Sequence, residues 1–134
     1  MNYLLLDPTI DEKLKLILFS EDEVISKDIK KVKAEKYLES LDSFLDKNEL
    51  NINDIEGLIV LSASGRFTAN RIATTIANTV RFIEDVSLLA VDKNEADDSL
   101  NTENIQTLSE LRKKLESSGS NYISAKYSGE PNIN

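Results

Sequence analysis

The spacing of apolar residues changes once along this chain, near residue 33, and this change limits the folds open to it. Before it lie an apolar run, Tyr3–Leu6, a run that begins with alternation, Leu14–Phe19, and a mixed run, Glu23–Ile29. After it, apolar residues recur every three or four positions from Lys33 to Lys47. Short runs and a period of two are typical of strands, and a period near 3.6 of helices. The sequence predicts three meandering strands followed by an amphipathic helix.

The rest of the chain alternates strands with helices. Gly57–Leu61 is a continuous apolar run, as in strands buried on both faces, and Val86–Val91 is predicted as another short, mainly apolar strand. The helix between them carries an apolar stripe formed by Ile72, Ala73, Ile76, Ala77 and Val80. Asn101 or Thr102 can cap a third helix, whose stripe is Ile105, Leu108, Leu111 and Leu115. Tyr122–Tyr127 is a candidate last edge strand.

This order of elements predicts an α/β fold. Three meandering strands followed by two strand–helix–strand crossovers suit a mixed sheet with helices on its faces, which is the plan of the ribonuclease-H-like fold. The 134 residues match the length of one domain.

Composition removes several classes of function. The chain has no cysteine and no histidine, which excludes disulfides, thiolate nucleophiles, Ser-His-Asp triads and the usual zinc ligands. A formal charge of −8 disfavours direct binding to nucleic acid. No segment resembles a signal peptide or a membrane span, so we expect a cytoplasmic protein. We expect neither a cofactor nor a metal.

One stretch of the sequence is basic, although the chain as a whole is acidic. It contains Lys27, Lys30, Lys31 and Lys33, with Asp28 inside it. A charge run of this kind is more often a solvated face than a docking patch, and both interpretations stay open here.

The segment Ser62–Ala73 is a small-residue loop between a buried strand and a helix. Such a loop can direct backbone amides at an anion, or it can simply make a tight turn. In this segment Gly65, Phe67, Thr68, Arg71 and Ile72 match, in register, the pattern Gly-Pro-Gly-Ser-Phe-Thr-Gly-Leu-Arg-Ile-Gly of the bacterial TsaB (YeaZ) family, which the chain resembles. The positions that depart from the pattern are Ala63, Ser64, Arg66, Ala69, Asn70 and Ala73.

Three further segments lie in the order that the TsaB family requires. Leu4–Thr9 resembles its opening strand and Asp-Thr-Ser turn, and Lys33–Leu38 resembles its His-Ser-Glu helix start, keeping Glu35. Ser87–Val91 stands where the family has the strand after its second helix. The resemblance covers about residues 1–92.

This resemblance implies an N-terminal lobe of the actin-like ATPase superfamily. Residues 93–134 would then complete the same domain or form a vestigial second lobe. The resemblance further implies a non-catalytic companion of a TsaD-like protein, the subunit that transfers the threonylcarbamoyl group to tRNA, joined by a TsaE-like ATPase. In the family, the first two helices pack against their counterparts on the partner.

The same two helices carry residues that we predict to bind a partner or a second copy of the chain. On the first helix, Tyr37, Leu41 and Phe44 spread over an arc that one sheet face need not cover. On the second helix, uncharged residues lie away from the apolar stripe, and they are Thr75, Asn78, Thr79 and Phe82. An uncharged outer face on a highly charged protein is typical of a buried contact, although packing within the chain is the alternative.

An enzymatic alternative rests on two carboxylates. Asp7 and Asp92 each follow a predicted strand, where ribonuclease-H-like enzymes place magnesium ligands. They could serve a nuclease-like or nucleotide-handling reaction. We favour a turn-capping role for Asp7.

Overall fold

The computed structural model describes residues 2–10, 12–63, 67–84, 86–92, 102 and 104–118, with the backbone alone at 67, 82–84 and 118. Its strands are β1 (Asn2–Asp7), β2 (Lys13–Phe19), β3 (Val24–Lys31), β4 (Ile55–Ser62) and β5 (Ser87–Asp92). Its longer helices are α1 (Tyr37–Lys47), α2 (Phe67–Glu84) and α3 (Ile105–Ser118), and short 3-10 turns precede α1 and β4.

The five strands form one mixed sheet in the order β3-β2-β1-β4-β5. The first three strands pair antiparallel, as a meander, while β1, β4 and β5 run parallel. Parallel neighbours need a crossover connection, and α1 and α2 supply one each. The predicted α/β class with a mixed sheet is therefore confirmed.

The first face of the sheet packs against α1 and α2. Alternate strand residues point to it because side chains of a strand alternate between faces. The core on this face joins Leu4 and Leu6 of β1 to Leu58 and Val60 of β4 and to buried residues of both helices. Helix α2 contributes its small and branched residues Ala69, Ala73, Ile76, Ala77 and Val80.

The second face of the sheet packs against α3. Tyr3 and Leu5, which alternate with the residues of the first core, join Leu108, Leu111 and Leu115 of α3 in a separate cluster. The rings of Tyr3 and Phe19 stack there with centroids 5.7 Å apart. Helix α3 therefore belongs to the same folded unit as the sheet.

A glycine lets α3 approach the sheet closely. A Cβ atom added at Gly57 of β4 would collide with the Leu115 side chain and lie 3.3 Å from Cδ1 of Tyr3. Glycine thus provides the space that Leu115 fills, rather than an unusual backbone conformation.

Several boundaries differ from the predicted ones. β3 continues to Lys31, and α2 begins at Phe67, one turn before its apolar stripe. The cap of α3 is Asn104, whose Oδ1 accepts a hydrogen bond from the backbone N–H of Gln106 at 2.8 Å. The prediction of Thr102 as the cap is wrong, because its hydroxyl binds Lys15 instead. Asn101 and the candidate strand Tyr122–Tyr127 lie outside the described residues.

Within the described part of the chain, we find no helix with both the length and the apolar character needed to cross a membrane.

Candidate functional site

The two carboxylates of the enzymatic alternative lie on opposite faces of the sheet. Asp7 follows Tyr3 and Leu5 in the alternation of β1, which places it on the face of α3. Asp92 follows Leu88 in the alternation of β5, which places it on the face of α1 and α2. In addition, β4 separates the two strands, so their backbones are roughly 10 Å apart.

These positions overturn the predicted magnesium pair. Magnesium holds its oxygen ligands at about 2 Å, and two ligands of one ion must therefore converge. Asp7 and Asp92 cannot converge through a packed sheet. Over the described residues, no three acidic side chains come together as a metal site would require.

Asp7 instead organises the turn after β1. Its Oδ1 accepts hydrogen bonds from the backbone N–H of Thr9, at 2.9 Å, and from the Thr9 hydroxyl. The side chain is 1% exposed, so these bonds satisfy a carboxylate that the fold has buried. The preferred turn-capping prediction is confirmed.

Lys15 lies directly opposite Asp7 in the register of β1 and β2. It is 6% exposed, and its ammonium donates a hydrogen bond to the hydroxyl of Thr102 at 2.9 Å. This bond ties the segment before α3 to the end of the sheet. Sequence reasoning missed Lys15, since a lysine beside apolar residues in a strand gives no local sign that it is buried.

The strand-to-helix turn after β4 is closed by Asn70. Its amide donates to the carbonyl of Ala63 at 2.8 Å, while its Oδ1 accepts the N–H of Ala63 at 3.4 Å. Asn70 is 1% exposed and departs from the TsaB pattern. The N–H of Ala63, which an anion in this turn could have used, is engaged by Asn70.

The residues matched to the TsaB motif are only partly described. Gly65 lies outside the described residues, and Phe67 is described by its backbone alone. Thr68 and Arg71 are both exposed on α2.

The predicted partner surface on α1 is wrong at its three large residues. Tyr37, Leu41 and Phe44 are between 1% and 3% exposed and belong to the core between the helices and the sheet. The sheet face, α2 and the segments around α1 together cover the broad apolar arc. Our expectation failed because it counted one sheet face as the only cover within the chain and left the rest of the arc to a partner.

The outward face of α1 is charged instead. Glu39, Asp42, Asp46 and Lys47 are exposed there. The exposed residues of α1 without charge are Ser43 and Leu38. Leu38 is 61% exposed, more than any other large apolar residue in the described part of the chain.

The outward face of α2 lacks charge over its central turns. Thr75 and Thr79 are exposed and Asn78 is partly exposed, while the side chain of Phe82 is outside the described set. The Thr79 hydroxyl donates to the carbonyl of Thr75 at 2.8 Å, so part of its polarity is satisfied within the helix. Because α3 packs on the other face of the sheet, it leaves this surface uncovered. Helices α1 and α2 contact each other, so Leu38 is exposed on the helix that neighbours α2.

The fold defines a class of protein, an α/β domain of ribonuclease-H-like architecture. Helices α1 and α2 cover one face of its mixed sheet, and α3 covers the other. Among solved structures, the chain is similar to YeaZ from Pseudomonas aeruginosa, with a TM-score of 0.59 and 21% sequence identity. A second structure, described as an uncharacterized protein with similarity to peptidase YEAZ from Pseudomonas aeruginosa, gives the same TM-score and identity. The predicted likeness to TsaB (YeaZ) is thus confirmed at the level of the fold.

The similarity is partial in length. It covers 68% of this chain but only 43% of each YeaZ structure, so the chain spans less than half of the proteins that it matches. No family model matches the chain. No curated protein matches it either.

Proposed function

We propose that this chain is a non-catalytic subunit that resembles TsaB and supports a TsaD-like protein in the threonylcarbamoyladenosine modification of tRNA. The proposal rests on the YeaZ-like fold and on the residues of the TsaB pattern that the sequence retains. The observation that carries it is the exposed, uncharged centre of α2, formed by Thr75, Asn78 and Thr79, together with the exposed Leu38 on the neighbouring helix α1. The centres of protein interfaces are depleted of charge, whereas the surface of this acidic chain is rich in it.

In this proposal the subunit acts by contact rather than by chemistry. The partner covers the outward surface of α1 and α2, which we call the helical layer. The burial of Leu38 and of the threonine methyl groups favours association. A TsaE-like ATPase is a candidate third member of the assembly. A second copy of this chain is the alternative occupant of the same surface.

The test is co-purification with the TsaD homologue of the same organism, followed by mass measurement after size separation. We expect Leu38→Arg and Thr79→Arg each to weaken the complex by about 2 kcal/mol or more, which is about thirtyfold in Kd, because each buries an unpaired charge. Ser117→Arg is the matched control, since Ser117 is an exposed hydroxyl residue on α3.

The threonylcarbamoyladenosine content of tRNA provides the functional readout. It should fall with the two interface variants and stay at the wild-type level with Ser117→Arg. If the wild-type chain forms no complex, the proposed function is wrong. If the wild-type chain forms the complex and the interface variants bind as tightly, the proposed function is retained and the partner binds a different surface.

A further inference from the structure

The strand at one end of the sheet carries an unusual combination of exposed residues. Among the described strands, β3 pairs with β2 alone, which leaves its other edge open. Four large apolar side chains are exposed in the described part of the chain, and three of them belong to β3: Val24 at 37%, Ile25 at 45% and Ile29 at 46%. An open edge with apolar side chains is a template for another strand.

The same strand is basic in an acidic protein. From Val24 to Lys31 the strand has three lysines and one acidic residue, although the whole chain carries a net charge of −8. Lys30 lies 3.6 Å from Asp28, and Lys31 lies 3.9 Å from Glu12, in pairs that solvent reaches. Exposed ion pairs of this kind are weak, so each lysine can leave its present carboxylate and pair with a carboxylate of another molecule.

The register arranges these residues in a row. Lys27, Ile29 and Lys31 alternate along β3 and pair with Ile17, Lys15 and Lys13 of β2, so they share one face of the sheet. All three are exposed. A strand added beside β3 would therefore meet a basic, an apolar and a basic side chain in succession.

We propose that the open edge of β3 binds an extended acidic segment of a partner protein, which adds a sixth strand to the sheet. Main-chain hydrogen bonds would hold such a segment, and side chains at alternate positions would select it. The complementary row is acidic, apolar, acidic. Charge disfavours the simplest competitor, a second copy of β3 paired edge to edge, because such a pair would place lysines next to lysines.

This surface is separate from the helical layer of the proposed function, because β3 lies at the end of the sheet and its exposed row is on the face opposite to α1 and α2. Lysines at a sheet edge also serve to prevent aggregation. Prevention alone does not explain an exposed isoleucine, Ile29, between two lysines of one row, whereas selection of a strand with an acidic, apolar, acidic row explains both features.

The probe is a fluorescent peptide with the sequence Thr-Glu-Thr-Val-Thr-Glu-Thr, which puts Glu, Val and Glu on one face. We expect anisotropy to report binding to the full chain that weakens as salt increases. Amide hydrogen exchange should slow within β3 when the peptide is present. A peptide of the same composition with adjacent glutamates, and one with lysine in place of glutamate, should bind about tenfold more weakly.

The matched variants carry equal changes of charge. Lys27→Glu combined with Lys31→Glu should lose the acidic peptide and gain the lysine peptide, while Lys47→Glu combined with Lys113→Glu, on α1 and α3, should bind as the wild type does. Circular dichroism checks that all four substitutions leave the fold intact.

Four results would overturn the proposal. The first is equal binding of the acidic peptide and of the peptide with adjacent glutamates. The second is an equal loss of acidic-peptide binding in the two double variants. The third is a chain that dimerises in a β3-dependent way without peptide, which would assign the edge to a second copy. A single-stranded RNA of ten uridines that displaces the peptide and binds more tightly would also overturn it, in favour of phosphate recognition.

Discussion

Gly57 shows how one residue controls the packing of a helix. The Leu115 side chain of α3 occupies the space where a Cβ atom of residue 57 would stand. Both residues are in the interior, where packing leaves little freedom to adjust. The absence of a side chain at this position is therefore part of the second core.

We expect Gly57→Ala to destabilise the protein by about 1–3 kcal/mol, because the added methyl group must displace Leu115 or shift α3. Urea unfolding followed by circular dichroism measures the change. Glu56→Ala, at the neighbouring exposed position of β4, is the control and should change stability by less than about 0.5 kcal/mol. Equal stability of the two variants would show that α3 does not pack closely here.

A polar cluster holds the same end of α3 to the sheet. The Tyr3 hydroxyl donates to Oε1 of Glu116 at 2.9 Å, and the Arg112 guanidinium donates to the same oxygen at 2.9 Å. The hydrogen bond from Tyr3, followed by that from Arg112, lowers the pKa of Glu116 below its ordinary value of 4.5. Burial, followed by the bond to Glu116, raises the pKa of Tyr3.

The lowered pKa of Glu116 gives a pH prediction with a definite sign. The folded state binds the Glu116 proton more weakly than the unfolded state, so this stabilisation is present above pH 4.5 and is lost as the pH falls through the folded pKa. We expect Glu116→Gln to be less stable than the wild type at pH 7, with the difference shrinking below pH 4.5. Chemical unfolding at a series of pH values across this range measures the difference in the free energy of unfolding. Glu110→Gln, at an exposed position on the same helix, is the control for the loss of one carboxylate from α3.

At the scale of elements, α1 is the helix whose two faces are best separated. Its inward residues are nearly inaccessible, and its outward residues are charged apart from Leu38 and Ser43. Sequence periodicity identified the apolar arc correctly. It could not say how many neighbours would cover that arc, because the neighbours come from distant parts of the chain.

Two truncations on α1 distinguish its faces. Phe44→Ala should cost about 3–5 kcal/mol, since it removes a ring that is 1% exposed from the core. Leu38→Ala should leave the free energy of unfolding within about 0.5 kcal/mol of the wild type, because Leu38 is 61% exposed. Thermal or urea unfolding of the isolated chain gives both values. A small loss from Phe44→Ala would mean that α1 is not docked on the sheet.

Across the whole molecule, two cores share one sheet. The first core joins the sheet to α1 and α2, and the second joins it to α3. Because β1, β2 and β4 contribute alternate residues to both cores, neither face can be opened without exposing a central strand to water. Helix α3 is therefore needed to cover β1 and β2, the strands at the start of the chain.

We expect a chain that ends at Asp92 to lose its cooperative unfolding transition, since its second sheet face would be exposed. The residues uncovered are Tyr3, Leu5, Ile17, Phe19, Ile59 and Leu61. Fluorescence of a dye that binds apolar surface, together with near-ultraviolet circular dichroism, measures this loss. A shortened chain that unfolds cooperatively, without binding the dye, would contradict the role given to α3.

The sequence by itself determined the kinds and order of the elements and the mixed character of the sheet. Periodicity, turn residues and apolar runs are local properties, and each can be read without knowing the neighbours of a segment. The turn at Asp7 was predictable for the same reason, since its Oδ1 binds the residue two positions further on.

Only the tertiary structure decided which residues face outward and which groups meet. The register of β1, β4 and β5 placed Asp7 and Asp92 on opposite faces, and the packing of α1 beside α2 buried Tyr37. Lys15 meets Thr102 across 87 positions of sequence. These contacts depend on strand pairing and helix docking between distant segments, and no local pattern specifies such distances.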